Sequence, residues 1–416
     1  MSSRTAEHLG RRLTVAIVGT RGVPAKYGGF ETFAECLAPR LVENHGLEVT
    51  VIGDSGSADG TFRGVHTRAS SYSKARNPIK FYWDSLRLAR GAADVVVVCG
   101  APGGALAWVL EKRQAVATNP DGLEARRQKW PRPVQAMFRA AEWASARTSD
   151  IVICDSPAIE EHFRRSYGSR RTRVLEYGAE PNPFGDASVD REALASQVRS
   201  VGLEPGGYHL VVARVEPENQ LHVVLDAAHL RRQESALPLV FVGNFDLSDY
   251  GRALRHTEVP NTLFLGSIYD APRLQALRAG ARSYVHGHTV GGTNPSLLEA
   301  MAAGNLCICH DNPFNRATTD GHAWFFRDAS DLAVQLRRAE ANGHTGEHPG
   351  SAARDRWEQR FQWSTIAEKY AALIDDLGNG RGGRDTVEIT ARRDGAASSE
   401  KGRSARSLDG ARLGRG

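Results

Sequence analysis

The run His286-Gly287-His288-Thr289-Val290-Gly291-Gly292-Thr293-Asn294-Pro295-Ser296-Leu297-Leu298-Glu299-Ala300-Met301 holds the residues best suited to binding an anion. Asn294 is a good N-cap and Pro295 suits the first helical position, so a helix is expected to start at a glycine-rich turn. The amides at such a start carry about half a positive charge from the helix macrodipole, which suits a diphosphate. Gly291, Gly292, Thr293, Asn294, Ser296 and Leu297 frame that site. Glu299, one turn into the helix, serves either as a partner of the helix dipole or as the group that holds a ribose diol. His286 and His288 stand two residues apart on a strand end with no carboxylate nearby, which argues against a metal pair.

Three further clusters have chemical potential. Arg214 closes the apolar run Val211-Val212-Ala213, where its guanidinium can form two hydrogen bonds to phosphate oxygens or pair with Glu216 or Glu218. Gly19 to Phe30 is a loop with four glycines, the cations Arg21 and Lys26, and Tyr27. Its glycines let backbone approach a ligand closely, so Arg21, Gly22, Tyr27, Gly28 and Gly29 are candidates for an acceptor or phosphate loop. The G-x-G-x-x-G dinucleotide spacing is absent. In Asn119-Pro120-Asp121-Gly122, Asp121 projects from a tight turn, either as a catalytic base or sugar-orienting carboxylate or as an ordinary turn residue. After it come Arg126, Arg127, Lys129, Trp130, Arg132, Phe138 and Arg139. That stretch reads either as a surface for anionic lipid headgroups, with Trp130 at the interface, or as a solvated helix face.

No Asp-x-Asp closes a strand, and no Walker motif, nucleophile elbow or zinc box occurs. The expectation is therefore chemistry without a metal or bound cofactor. If a diphosphate departs here, Arg214 and the helix start must stabilise its charge.

The elements that must position these residues alternate short β-rich runs with helical patterns. Leu13–Val18, Val49–Ile52, Val95–Val98, Ala115–Thr118 and Ile151–Cys154 form one set of strands. Leu210–Val212, Leu239–Val242, Thr262–Leu265, Arg282–Val285 and Leu306–Cys309 form a second. Runs such as Val95-Val96-Val97-Val98 do not alternate with polar residues, as expected of parallel strands covered on both faces. The Pro- and Gly-rich segment Tyr177 to Gly185 reads as a linker. The architecture is then α/β: two doubly wound Rossmann-like domains, residues 12–180 and 181–360, facing a central cleft. Phe30, Phe33, Ala34, Leu37 and Leu41 predict a helix with Pro39 near its end. Trp363, Ile366, Ala367, Tyr370, Ile374 and Leu377 predict a last helix over 361–377, stopped by Gly378. Residues 1–11 and 378–416 are expected to be disordered, the latter for want of large apolar residues.

Composition narrows the class. The 416 residues carry a formal charge of +5. Nine Lys or Arg against five Asp or Glu from Gly378 onward give +4, leaving about +1 for the body, too little for a nucleic-acid binder. Cys36, Cys99, Cys154, Cys307 and Cys309 read as core residues of a protein from a reducing compartment. Met1 to Gly10 lacks an apolar core segment, and Val95 to Leu110, the longest apolar stretch, is interrupted by Gly100, Pro102, Gly103 and Gly104. The expected location is cytoplasmic, with a peripheral position on the inner face of a membrane if the basic aromatic stretch meets lipid.

Taken together, the motifs resemble glycosyltransferase family 4, the retaining enzymes of the two-Rossmann GT-B fold, from roughly Leu13 to Leu377. Gly19 to Thr32, Asn119 to Glu124, Gly287 to Met301 and His310-Asp311-Asn312-Pro313-Phe314-Asn315-Arg316 are similar to its rhamnosyltransferase-like subgroup. The resemblance implies an acceptor-binding first domain and a nucleotide-binding second one. It puts Arg214 on the diphosphate, Glu299 on the ribose, and the Gly291–Leu297 amides on phosphates and sugar. Asp121 takes the place of a side chain set against the donor sugar, the position we assign to catalysis. The last helix crosses back to the first domain. It further implies a dTDP- or UDP-linked donor, a hexose or deoxyhexose such as L-rhamnose, and a glycan or isoprenoid-diphosphate-linked acceptor in cell-surface polysaccharide assembly. Two positions depart from the wider family: Asn219 stands where a lysine is usual, and Gly291 where a glutamate is usual. A nucleotide-sugar epimerase and a non-catalytic partner of the same fold remain as alternative readings.

Overall fold

The computed structural model describes residues 12–25, 28–127, 130–185, 190–231, 237–342 and 349–380. Tyr27, Lys26, Lys129, the first eleven residues and residues 381–416 lie outside them.

The described residues form two open sheets. The first contains β1 (Thr14–Val18), β2 (Glu48–Gly53), β3 (Gly60–Phe62), β4 (Val65–Ala69), β5 (Val95–Cys99), β6 (Ala115–Asn119), β7 (Ile151–Cys154) and β8 (Thr172–Val174). Its order is β3-β4-β2-β1-β5-β6-β7-β8, parallel throughout except for the β3–β4 pair. The second contains β9 (His209–Val212), β10 (Leu239–Val242), β11 (Thr262–Gly266), β12 (Ser283–His286), β13 (Cys307–His310) and β14 (Trp324–Phe326). Its order is β11-β10-β9-β12-β13-β14, all parallel. All ten strands expected from sequence occur.

Burial explains the unbroken valine run. Val95, Val97 and Cys99 face the core beneath the Gly29–His45 helix, whereas Val96 and Val98 face Leu86, Ala89 and Leu110 on the other side. β5 thus buries both faces, at roughly 1.5–3 kcal/mol per fully buried large aliphatic side chain. Strand order reverses between β1 and β5 in one sheet and between β9 and β12 in the other. Ligands of such sheets bind outside the carboxyl ends of strands at these switch points.

Two predicted helix ends are corrected. The Gly29–His45 helix runs six residues past Pro39. Leu41 continues the buried face, and Gly46, at φ 64°, closes the helix by donating to the carbonyls of Leu41 and Val42. The last helix, Trp363–Asn379, passes through Gly378. That glycine is required by close packing: a Cβ there would lie 2.8 Å from the Leu13 side chain.

The last helix packs on the Gly29–His45 helix. Phe33 of the Gly29–His45 helix meets Trp363 and Tyr370, with ring centroids 6.3 and 5.3 Å apart, and also Tyr177 at 5.6 Å. Gly178 lets the linker pass, since a Cβ there would come within 2.6 Å of the Trp363 ring. Buried Glu176 accepts from Arg360 (2.7 Å) and Lys369 (3.1 Å), and those cations hold its carboxyl below the usual glutamate range against its burial. Cys99, Cys154, Cys307 and Cys309 are buried free thiols, and Cys36 is half-buried. No described helix is long and apolar enough to cross a membrane.

Candidate functional site

The loops at the strand carboxyl ends enclose a cleft of about 710 Å³ between the two sheets. It is lined by Gly28, Gly29, Asp121, Gly122, Arg127, Asp155 and Tyr177 from one side. From the other come Arg214, Asn219, Arg278, His288, Gly291, Gly292, Thr293, Asn294, Ser296 and Glu299.

The anion-binding half is built as the cap chemistry predicts, with one refinement. Asn294 caps the Pro295–Ala302 helix, its carboxamide oxygen accepting from the Ser296 amide at 3.0 Å. The Leu297 amide donates to the Asn294 carbonyl at 3.1 Å, and Leu297 is buried away from the cleft. Two of the expected phosphate-facing amides are therefore engaged by the cap, and a third, that of Thr293, is directed at the Asp155 carboxyl. Ser296 keeps its hydroxyl between Tyr284 (2.6 Å) and the Val212 carbonyl (3.1 Å), which ties the helix start to β9 and β12.

Arg214 follows β9 and is half exposed in the cleft, 3.8 Å from Glu216. Its side chain thus stands in the cleft and near Glu216 at once. Its backbone is fixed by Asn219, whose Nδ2 donates to the Arg214 carbonyl at 2.7 Å. The other end of the Asn219 carboxamide accepts from His288 Nδ1 at 2.5 Å. His286 and His288 are both buried. Burial, with neighbouring His310, pushes His286 down to about 3, and burial with His286 beside it drives His288 well below the ordinary range. These neutral rings are props for the turn. Among the described residues no group of three or more His, Cys, Asp or Glu is placed to hold a metal ion.

Glu299 lines the cleft and pairs with Arg278, a buried arginine that also approaches Ser296. Across the cleft, Asp121 adopts φ 70°, a left-handed conformation in which aspartate is several-fold enriched. Its amide donates to Asn119 Oδ1 at 2.9 Å, so the turn aims this half-buried carboxylate into the cleft.

The glycine-rich loop divides. Gly28 and Gly29 line the cleft at the start of the first helix. Arg21 and Gly22 do not: the Arg21 amide donates to Glu31 at 2.8 Å, and Gly22, at φ 110°, packs against Ser57 and Gly53. Tyr27 is outside the described residues. The basic, aromatic stretch also divides. Arg127 is buried and pairs with Glu124 at 2.7 Å, while Trp130 donates from Nε1 to Glu124 at 2.8 Å and packs on Phe138. Trp130 is thus tied inward rather than presented at an outer interface.

Sequence reasoning missed the contacts that cross the cleft. Arg127 reaches within 3.9 and 3.8 Å of Glu216 and Glu218 on the other side. Gly122 meets Gly291, where a Cβ would lie 3.1 Å from the Gly291 Cα. Asp155, just beyond β7, lies against Gly292, and its carbonyl accepts from Thr293 Oγ1 at 2.5 Å. Burial, reinforced by Asp121, raises the Asp155 carboxyl well above the usual range. Arg278 belongs with this group. Its only sequence signal was a cation in a helix outside every motif.

Residues 199–356 match the family model described as Glycosyl transferases group 1, and residues 12–62 and 94–180 match a domain of unknown function, DUF1972. Residues 199–356, which hold the second sheet, are thus similar to the group 1 glycosyltransferases. Among curated proteins, none matches the sequence. Among solved structures, sucrose-phosphate synthase from Thermosynechococcus elongatus is similar with a TM-score of 0.73 at 19% identity, over 89% of this chain and 100% of that one. HepE of Anabaena in complex with UDP-glucose is similar at 0.69 and 16%, over 88% and 100%. The trehalose-6-phosphate protein of E. coli bound with UDP-2-fluoro glucose gives 0.65 and 12%, over 88% and 99%. These likenesses establish the fold: two Rossmann-like domains in the GT-B arrangement.

Proposed function

We propose that this chain is a retaining glycosyltransferase that transfers a hexose or deoxyhexose, L-rhamnose by its resemblance, from a dTDP- or UDP-linked donor. The acceptor is a glycan or an isoprenoid-diphosphate-linked sugar used in cell-surface polysaccharide synthesis. The observation that carries this reading is the convergence of Arg214, the Gly291–Asn294 turn and Glu299 in one cleft opposite Asp121.

In this reading Glu299, held by Arg278, accepts from the ribose hydroxyls. Arg214 and the turn amides bind the diphosphate. As the bond between the sugar's anomeric carbon and the β-phosphate oxygen breaks, the electron pair stays on that oxygen. A preorganised cation and amides stabilise that charge without an ion's help. The acceptor hydroxyl attacks on the face the diphosphate leaves and passes its proton to the departing phosphate oxygen, while Asp121 orients the sugar and bears on the positive charge developing at its ring.

The test is a thermal-shift titration against dTDP, UDP, GDP and ADP without added metal. The UDP-glucose bound to HepE makes UDP the first to try. A nucleotide at about a hundred times its dissociation constant adds roughly 2.7 kcal/mol of stability. Arg214→Ala should abolish the shift and cut transfer about 10- to 100-fold, as expected for loss of charge-assisted hydrogen bonds. Its ligand-free melting temperature should stay unchanged, because Arg214 is half exposed. No shift with any nucleotide would remove the donor site from this cleft.

A further inference from the structure

One outer layer of the first domain collects exposed aromatic and cationic residues that the cleft does not use. The Pro78–Ala89 helix, the Ala107–Val109 turn and the Arg132–Thr148 helix cover the same face of the first sheet. Leu86, Ala89, Val109 and Leu110 pack on Val96 and Val98. The Arg132–Thr148 helix is tied alongside through Ser145 to the Ala101 carbonyl (2.7 Å) and Thr148 to the Gly104 carbonyl (2.6 Å). Facing outward are Ile79, Trp83, Trp108, Met137 and Trp143, with relative exposures of 64, 43, 69, 51 and 50%. They are five of the nine large apolar residues exposed among the described residues. None lines the cleft.

Cations prevail around them, and Glu111, just beyond the Ala107–Val109 turn, is paired with Arg113. Lys80, Arg87, Arg90, Lys112, Arg132, Arg139 and Arg147 are all exposed. The acids within the two helices, Asp84 and Glu142, are both buried. Asp84 accepts from Ser70, Ser71 and Arg87, and Glu142 engages His162 and Tyr167. Arg139, Trp143 and Arg147 recur every four residues, and so do Ile79, Trp83 and Arg87, so each helix presents an apolar-cationic stripe. Arg147 lies 4.1 Å from the Trp143 ring and Arg87 5.9 Å from the Trp83 ring, which holds ring and cation at one height.

We propose that this layer docks the protein on an anionic lipid bilayer, the tryptophans entering the headgroup region and the arginines and lysines meeting lipid phosphates. The number of exposed cations interleaved with tryptophan matches an anionic headgroup layer, and Lys80 and Lys112 are of the type that protein interfaces deplete. Tryptophan beside arginine is the pattern of an interfacial surface. Docking through this layer requires nothing of the cleft's chemistry and stands independently of the transferase reading.

The test uses the full chain in vesicle flotation. One set of vesicles is phosphatidylcholine alone, and the other is equimolar phosphatidylcholine and phosphatidylglycerol. The chain should float with the phosphatidylglycerol vesicles, release as salt is raised, and stay behind with phosphatidylcholine alone. Arg139→Glu with Arg147→Glu should weaken binding more than about tenfold, since one cation near an anionic surface is worth about fivefold. Trp83→Ser, Trp108→Ser and Trp143→Ser together should do the same. All variants should melt like the wild type, and Trp108→Ser alone serves if the triple variant does not. Undiminished binding by folded variants would overturn the proposal and move the lipid contact to another segment. So would equal binding to phosphatidylcholine, or a dimer held by this face that vesicles leave intact.

Discussion

Gly292→Ala tests whether the contact between the two domains belongs to the working state. Gly292 lies outside the left-handed region, so its backbone accepts alanine without strain. The obstacle comes entirely from the other domain. The new methyl would land on the Asp155 carboxyl, far inside the roughly 3.5 Å that nonbonded heavy atoms keep. Asp155 is 3% exposed, its carbonyl is bonded to Thr293 Oγ1, and its carboxyl receives the Thr293 amide. Either that short side chain swings away and loses the Thr293 amide, or the domains part at this point.

Overpacking of this kind costs about 1–3 kcal/mol. Charged against the closed state, that is about 5- to 150-fold in nucleotide affinity. The assay is the dissociation constant of the preferred nucleoside diphosphate, measured for wild type, Gly292→Ala, Asp155→Ala and the double variant. Removing the carboxyl should reopen the space, so the double variant should recover most of the loss, with a coupling energy of the same size. Wild-type affinity in Gly292→Ala, or no relief from Asp155→Ala, would refute the claim that the two domains meet here when ligand is bound. Gly291→Ala is a poorer probe, because at φ 142° alanine is strained whatever the space.

Two further outcomes follow from buried groups. The Asp155 carboxyl holds its proton more tightly folded than unfolded, so its stabilising effect is full below the unfolded value and lost as pH rises toward the folded one. In that window stability should fall by about 1.4 kcal/mol per pH unit from this group. Asp155→Asn should flatten that slope and melt higher at neutral pH, and parallel pH–melting curves for both proteins would dismiss the assignment. Trp363→Ala removes a ring that is 3% exposed and packs on Phe33 and Gly178. It should cost about 3–5 kcal/mol in urea denaturation, and a loss under about 1 kcal/mol would show that the last helix does not bind the domains together.

What the sequence discloses is what local chemistry decides. Asn294 and Pro295 announce a helix start because capping uses adjacent residues, and the Val95–Cys99 run announces a covered strand because both its faces are apolar. The strands that escaped are short or mixed: β3 and β14 are three residues long, β8 carries Arg173, and β4 buries only Val65. Pro39 and Gly378 misled because tertiary burial overrode their local preference to end a helix. Trp130 read as exposed from its basic neighbours, yet its partner Glu124 lies six residues back in a turn whose shape the sequence does not reveal. Asp155, Arg127 and Arg278 were invisible for a stronger reason. Asp155 meets Thr293 across 138 residues, and only the arrangement of the two sheets brings them together.

That arrangement also gives the two departures from the resembling family a physical sense. Asn219, in the usual place of a lysine, spends its carboxamide on the Arg214 carbonyl and the His288 ring, fixing the backbone that carries the cleft's exposed arginine. Gly291, in the usual place of a glutamate, leaves room that the first domain fills with Gly122 at close approach, and Asp155 lies against the next residue. A side chain at Gly292 would press on Asp155 of the other domain, whereas one at Gly291 would meet His288 of its own, so only the second glycine follows from how near the two domains come. The carboxyl that burial places beside the turn comes from the opposite domain and keeps its proton there. The lining of the cleft is complete only where the two domains meet, since Asp121, Arg127 and Asp155 come from one and Arg214, Arg278 and Glu299 from the other.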